Sequence, residues 1–103
     1  MEHPHALLAR RELAAVTAAD GDPALAEAEL RDVWASQTQI LGPDHPRTLI
    51  TVRRLAASIA AQGRSEEAIV LYREAYDKQS GVLGTDHPDT TITANELAAL
   101  AQV

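Results

Sequence analysis

The chain has 103 residues, the usual size of one domain, with a net charge of −6 and a sequence pI near 5.0. This balance argues against the clustered lysines and arginines with which proteins contact nucleic-acid phosphates. Because cysteine is absent, disulfides, thiolate metal sites and thiol catalysis are excluded. Aromatic residues make up only 3% of the chain, and alanine and leucine dominate its apolar fraction, so we predict an all-α fold.

The N-terminal segment and the overall hydropathy bear on where the protein works. Met1–His5 has neither the basic flank nor the apolar stretch of a secretory signal. No run of about eighteen apolar residues occurs that would span a bilayer. The sequence therefore predicts a cytoplasmic protein without a membrane partner.

Hydrophobic periodicity and capping residues predict five helices in chain order. They cover residues 5–19, 23–39, 47–61, 65–80 and 89–102. Asp22 and Pro23 open the second helix as a capping acceptor and a first-turn proline. The third helix carries apolar residues at spacings of three and four and ends at Gly63, and the fourth is predicted to stop at Ser80–Gly81 and the following Leu83–Gly84 corner.

An internal repeat organises these helices. The segment at residues 41–48, Leu-Gly-Pro-Asp-His-Pro-Arg-Thr, returns at residues 83–90 as Leu-Gly-Thr-Asp-His-Pro-Asp-Thr, and the register of 42 residues extends backwards without a gap. We therefore divide one domain, residues 1–103, into units 3–42, 45–84 and a partial unit 87–103. Because about three units are usually needed for independent stability, we expect the chain to be a piece of a longer array.

The residues of one unit resemble a known family. The pattern consists of Val52, Leu55, Ala56, Ile59, Gly63, Ala68, Tyr72 and Ala75. It is similar to the tetratricopeptide repeat (TPR), and the added corner resembles the 42-residue variety of kinesin light chains and of many bacterial signalling proteins. The resemblance implies antiparallel helix pairs stacked as a short right-handed α-solenoid of about five helices, or two and a half units.

The resemblance also implies a binding groove on the concave side, which the first helix of each pair lines. Equivalent residues on the three inner helices form two rows, Arg11, Arg53 and Asn95, and Ala15, Ala57 and Ala99. We expect an extended or helical segment with acidic residues to bind there, its carboxylates pairing with the two arginines. The alternative is that these arginines belong to a solvated face and pair with nearby glutamates.

Catalysis and metal binding find little support in the sequence. His3, His45 and His87 recur at equivalent corners, where successive units are too far apart to share one zinc ion. Asp44-His45-Pro46 instead indicates a helix start, with Asp or His accepting amide protons. We predict no enzyme activity, no cofactor and no metal site.

Three functional hypotheses follow. The first is a protein-binding module of a larger signalling or regulatory protein, which the resemblance implies to be bacterial. The second is a structural segment that stacks on itself or within its own chain and binds no foreign peptide. Homo-oligomers could form through the last helix, whose Leu97, Leu100 and Ala101 lack a covering helix. The third, a catalytic or nucleic-acid role, has the least support.

Overall fold

The computed structural model describes residues 22–102, which form four α-helices and no strand. They are α1 (Pro23–Ile40), α2 (Pro46–Ala61), α3 (Ser65–Val82) and α4 (Pro88–Ala101). The all-α prediction and the last four predicted helices are confirmed, with ends that differ by at most two residues. The predicted helix at residues 5–19 lies outside the described residues. Of the two predicted stops of this helix, Ser80–Gly81 is two residues early, because α3 continues through Gly81 to Val82, and the Leu83–Gly84 corner is confirmed.

Three helices begin after a residue whose side chain accepts a hydrogen bond from a backbone N–H of the helix's first turn. The Asp22 carboxylate accepts from the Leu25 amide at 3.0 Å. His45 Nδ1 accepts from the Arg47 amide and His87 Nδ1 from the Asp89 amide, each at 3.1 Å. A proline follows each of these caps, where its missing N–H costs no helical hydrogen bond. The interpretation of the corner as a helix start is confirmed for His45 and His87.

Glycines turn the chain after the helices. Gly42, Gly63 and Gly84 have φ angles of 101°, 85° and 95°. Side chains other than glycine rarely adopt this left-handed region, so the turn favours glycine at these positions. Gly42 and Gly84 are equivalent by the 42-residue register, and the corner therefore has the same backbone turn in both units.

The core forms where α2 packs between α1 and α3, while α4 packs mainly on α3. Short connections join consecutive packed helices, as in other up-and-down helical proteins. The fully buried residues of the main apolar cluster are Ala26, Leu30, Leu55, Ala56, Ile59, Ala68 and Tyr72. Small alanines lie at the contacts between helices, which allows the backbones to approach closely.

Two buried polar pairs repeat along the stack. The Thr51 hydroxyl donates to Gln37 Oε1 at 2.6 Å, linking α2 to α1. Thr93 makes the same 2.6 Å bond to Gln79, linking α4 to α3. All four side chains are fully buried. Since both pairs are related by 42 residues, they belong to the repeat itself and fix the register of each inner helix against its predecessor.

α3 covers one face of α2, and the equivalent face of α4 has no covering helix within the described residues. Leu55 and Ala56 are fully buried, whereas the equivalent Leu97 is half-buried and Ala98 is exposed. Ile59 is fully buried, and its equivalent Ala101 is exposed. Within the described residues no helix packs on α4 as α3 packs on α2, as the sequence predicted for Leu97 and Ala101.

Candidate functional site: the inner face of α2 and α4

The uncovered sides of α2 and α4 form one continuous surface, called the inner face below. On α2 it includes Ile50, Arg53 and Ala57, and on α4 it includes the equivalent Ile92, Asn95 and Ala99. Ala57, Asn95 and Ala99 are exposed, Arg53 is half-buried, and Ile92 is 40% exposed. The spacing of three and four residues places each set on one side of its helix. Arg11 and Ala15, the predicted first members of the two rows, lie outside the described residues.

Arg53 is engaged by the neighbouring inner helix. Its Nη1 donates to Glu96 Oε2 at 3.2 Å, and the Arg53 side chain is only 15% exposed. This contact brings the inner sides of α2 and α4 together. It also corresponds to the alternative interpretation, in which a helix arginine pairs with a nearby glutamate. Any acidic ligand of Arg53 must therefore compete with Glu96 or share the guanidinium with it.

Tyr72 on α3 holds the second oxygen of the Glu96 carboxylate. Its hydroxyl donates to Glu96 Oε1 at 3.1 Å, so the two carboxylate oxygens are held by two different helices. Burial, followed by the charge of Glu96, raises the pKa of the Tyr72 phenol, which keeps it protonated as a donor. Sequence reasoning assigned neither Tyr72 nor Glu96 to the groove. Glu96 adjoins the predicted Asn95, but its pairing depends on how α3 and α4 cross.

A shallow depression of about 330 Å³ lies beside this contact. Its walls are Ala60, Tyr72, Glu96, Ala99 and Leu100. Small side chains at Ala60 and Ala99 leave the space. The depression is mostly apolar with one carboxylate at its edge, which suits an apolar side chain of a ligand.

Away from the inner face, an ion network ties α1 to the start of α3. Glu27 accepts from Arg64 at 2.8 Å and from Gln62 Nε2 at 2.8 Å. Arg31 bridges Glu27 at 2.9 Å and Glu67 at 3.0 Å, and Arg64 also holds Glu67 at 2.7 Å. Hydrogen bonding from Arg64, and then from Gln62 and Arg31, lowers the pKa of Glu27 to about 2. The network is a link between outer helices and does not reach the inner face.

The ion network predicts a loss of stability in acid. A carboxylate whose pKa is lower in the folded chain contributes stability that is complete above its unfolded pKa, 4.5, and is lost as the pH falls towards 2. Since the Glu27 side chain is 13% exposed and its arginine partners are more open, we expect a contribution of about 1–2 kcal/mol after solvent screening. Urea unfolding between about pH 6 and about pH 3 should show this decline.

Glu27→Gln should flatten that pH dependence, because the amide does not titrate. Glu66→Gln, on an exposed residue outside the network, is the matched control and should leave the decline in place. An equally steep decline in Glu27→Gln would show that other carboxylates cause it.

A family model described as a tetratricopeptide repeat matches residues 5–77 and again residues 50–102. The chain belongs to the tetratricopeptide repeat family. The residues quoted for the resemblance lie within both matches, and the described residues of this TPR chain form the expected succession of packed helices.

Solved structures agree with the family assignment. The TPR chain is similar to a crystal structure of nearly identical TPR-like repeats from a protein described as a kinesin light chain of Podosopora anserina. The TM-score is 0.87 with 32% identity, and the match covers 99% of this chain and 48% of that one. A point variant of the same protein gives 0.86, 31%, 99% and 48%. This TPR chain thus spans about half the length of these relatives. No curated protein matches it.

Among residues 22–102, no group of three or more His, Cys, Asp or Glu side chains could together hold a metal ion. No helix in this part of the TPR chain has the length and apolarity to cross a bilayer.

Proposed function

We propose that the chain is a non-catalytic protein-interaction module that binds a peptide segment or a partner protein on its concave side. TPR folds typically serve as protein-interaction modules, and this family membership supports the general class. The observation that carries the specific proposal is the inner face, on which Arg53 and Asn95, and Ala57 and Ala99, are equivalent by the repeat. We further propose that the module acts in the cytoplasm as a scaffold within a larger bacterial signalling or regulatory protein, as the resemblance implies.

The proposed ligand is an extended or helical segment with acidic residues. The Arg53 side chain, largely shielded from water, offers a guanidinium whose bonds to a carboxylate are stronger than at an open surface. The exposed Asn95 amide can donate to and accept from peptide groups. Ile92 and the depression beside Ala99 supply apolar contact on either side of these polar groups. In this proposal Arg11 and Ala15 extend the two rows.

Competition within the inner face makes the proposal testable. Arg53→Glu should weaken binding of a glutamate-rich peptide by about 1–3 kcal/mol, because it removes a desolvated charge pair. Glu96→Gln should strengthen binding of the same peptide by about 1 kcal/mol, because Arg53 loses its internal competitor. The glutamine carbonyl can still accept from Tyr72, so the local structure is kept.

Arg73→Glu is the matched control, since Arg73 is an exposed arginine of the outer helix α3. It changes the net charge as Arg53→Glu does and should leave affinity nearly unchanged. Isothermal titration calorimetry at two salt concentrations would measure all four proteins. Equal affinities of wild type, Arg53→Glu and Glu96→Gln would rule out this groove.

The second candidate is a structural role, in which the array stacks on itself or on other parts of its own chain. The open side of α4, with half-buried Leu97 and exposed Ala98 and Ala101, supports it. A homo-oligomer through this helix would appear as concentration-dependent mass in sedimentation equilibrium. Affinity capture separates the two candidates, because foreign partners favour the module and self-association alone favours the structural role.

A further inference from the structure

The outer side of the stack contains a seam between α1 and α3, with α2 as its floor. No Cα atom of α1 lies within 8 Å of one in α3, so the backbones of the two helices stay apart on either side of α2 and only their side chains meet. At one end the seam is closed by the ion pairs that Arg31 and Arg64 make with Glu67 and Glu27. At the other end it opens into a cavity of about 160 Å³. We refer to this as the outer cavity.

The floor of the outer cavity is apolar, and polar side chains such as Thr38 and Glu74 share its walls with Trp34. Leu49, Val52 and Ala75 are 1%, 4% and 0% exposed, and the half-buried Trp34 forms a wall. A volume of about 150 Å³ lined by leucine, isoleucine and phenylalanine is large enough to bind benzene. The outer cavity therefore has room for one leucine, isoleucine or phenylalanine side chain.

The rim carries an excess of negative charge. Lys78 lies 3.5 Å from an Asp44 oxygen and 3.6 Å from a Glu74 oxygen, so one ammonium serves two carboxylates. Glu74 and Lys78 line the cavity, and Asp44 follows Pro43, another lining residue. A ligand that places a basic group beside this rim would neutralise the remaining charge.

The net charge of the chain indicates which kind of ligand can bind in the outer cavity. A second copy would bring another net charge of −6 to an acidic rim, and a nucleic acid or an anionic membrane would be repelled as well. A foreign protein segment that pairs an apolar residue with adjacent lysine or arginine fits both the cavity and the rim. The floor is particular to this unit, because Leu49 and Val52 correspond to Thr91 and Ala94 in the next one.

We propose that the outer cavity is a second protein-binding site, which takes one apolar side chain of a basic partner segment. Its preference is opposite in charge to that of the inner face, and it is formed by different helices. The apolar side chain supplies most of the affinity, since an exposed ion pair contributes little. The basic neighbour sets the orientation and the choice of partner. The two sites could be occupied together.

The experiment uses the fluorescence of Trp34, the only tryptophan of the chain, as a direct report from the cavity wall. The full chain is titrated with the peptide acetyl-Ser-Leu-Lys-Lys-Ser-amide up to about 10 mM. We expect a saturable change in emission. Replacing leucine by alanine in the peptide should weaken binding about tenfold, and replacing both lysines by glutamates about threefold.

Paired variants test whether the signal comes from the cavity. Thr38→Phe fills the space from its wall and should abolish binding, whereas Gln39→Phe, one position along at an exposed site, should not. Glu74→Lys should reverse the order of the lysine and glutamate peptides, and Asp77→Lys, an exposed residue outside the cavity, should keep it. Circular dichroism confirms that each variant is folded.

Arg53→Glu should leave the titration unchanged, which separates this site from the inner face. The proposal is overturned if no peptide gives a saturable change, if Thr38→Phe and Gln39→Phe bind equally, or if the two charged peptides bind alike. Reversal of peptide preference in folded Glu74→Lys would support it even if Thr38→Phe fails to fold.

Discussion

Leu55→Ala is expected to lower the free energy of unfolding by about 3 kcal/mol, while the equivalent Leu97→Ala lowers it by about 1 kcal/mol. Leu55 is fully buried between α1 and α3, so its loss leaves a cavity that the packed helices cannot close. Leu97 occupies the same place in the repeat, but it is only half-buried. The difference between the two losses gives the free energy that a leucine of an inner helix contributes when an outer helix covers it.

Urea unfolding followed by far-ultraviolet circular dichroism would give both values. Val70→Ala is the control, because Val70 is 64% exposed on α3 and should change stability by less than about 0.5 kcal/mol. Equal costs at Leu55 and Leu97 would contradict the arrangement of the helices, since they would require equal burial at the two positions.

The second large effect is expected at the buried polar pairs. Thr51→Val should cost about 2 kcal/mol, because Gln37 Oε1 loses its donor inside the protein. Gln37→Leu combined with Thr51→Val should cost less than the sum of the two single changes, since both polar groups are then removed together. Thr93→Val should repeat the result one unit later, through Gln79.

A double-mutant cycle on Gln37 and Thr51 isolates the coupling from the loss of packing. Thr91→Val serves as the control, because the exposed Thr91 hydroxyl bonds only to the backbone oxygen of His87 at 3.1 Å among the hydrogen bonds described. Its effect should stay within about 0.5 kcal/mol. Strict additivity of the cycle would mean that the 2.6 Å hydrogen bond contributes nothing specific to the register.

The sequence predicted the helices well because the repeat supplies each signal twice. Asp22, His45 and His87 mark helix starts, and the glycine after each leucine corner marks a turn. The end of α3 was the exception, since Gly81 was interpreted as a stop. The helix instead passes through Gly81 and ends at Val82, followed by Leu83 as its C-cap and by Gly84 with a positive φ. A single glycine weakens a helix without ending it.

The buried polar pairs and the ion network could not be predicted. Gln37 and Thr51 interrupt the apolar pattern, so periodicity alone places them at the surface. Glu27 corresponds to Ile69 in the repeat, and Arg64 corresponds to Asp22. The ion pair between Glu27 and Arg64 is therefore not repeated, and the comparison of units does not indicate it. Both features depend on which helices lie side by side, a property of the stack that a local pattern does not contain.

The positions of the candidate groove residues in the stack follow from the repeat. Arg53, Ala57, Asn95 and Ala99 lie on the uncovered sides of α2 and α4, as expected for inner helices of this family. The contact of Arg53 with Glu96 was not predicted. Periodicity indicates on which side of its helix a residue lies, but it does not indicate which side chain of the next helix that residue contacts. The role of the four residues in binding stays a prediction.

The most direct measurement is backbone-amide NMR of the labelled chain titrated with a glutamate-rich peptide. We predict the largest shift changes at Ala57, Asn95 and Ala99, with smaller ones at Arg53 and Ile92, and little change along the outer helices α1 and α3. Changes confined to α1 and α3, or no saturable change at any residue of α2 and α4, would contradict binding on the inner face.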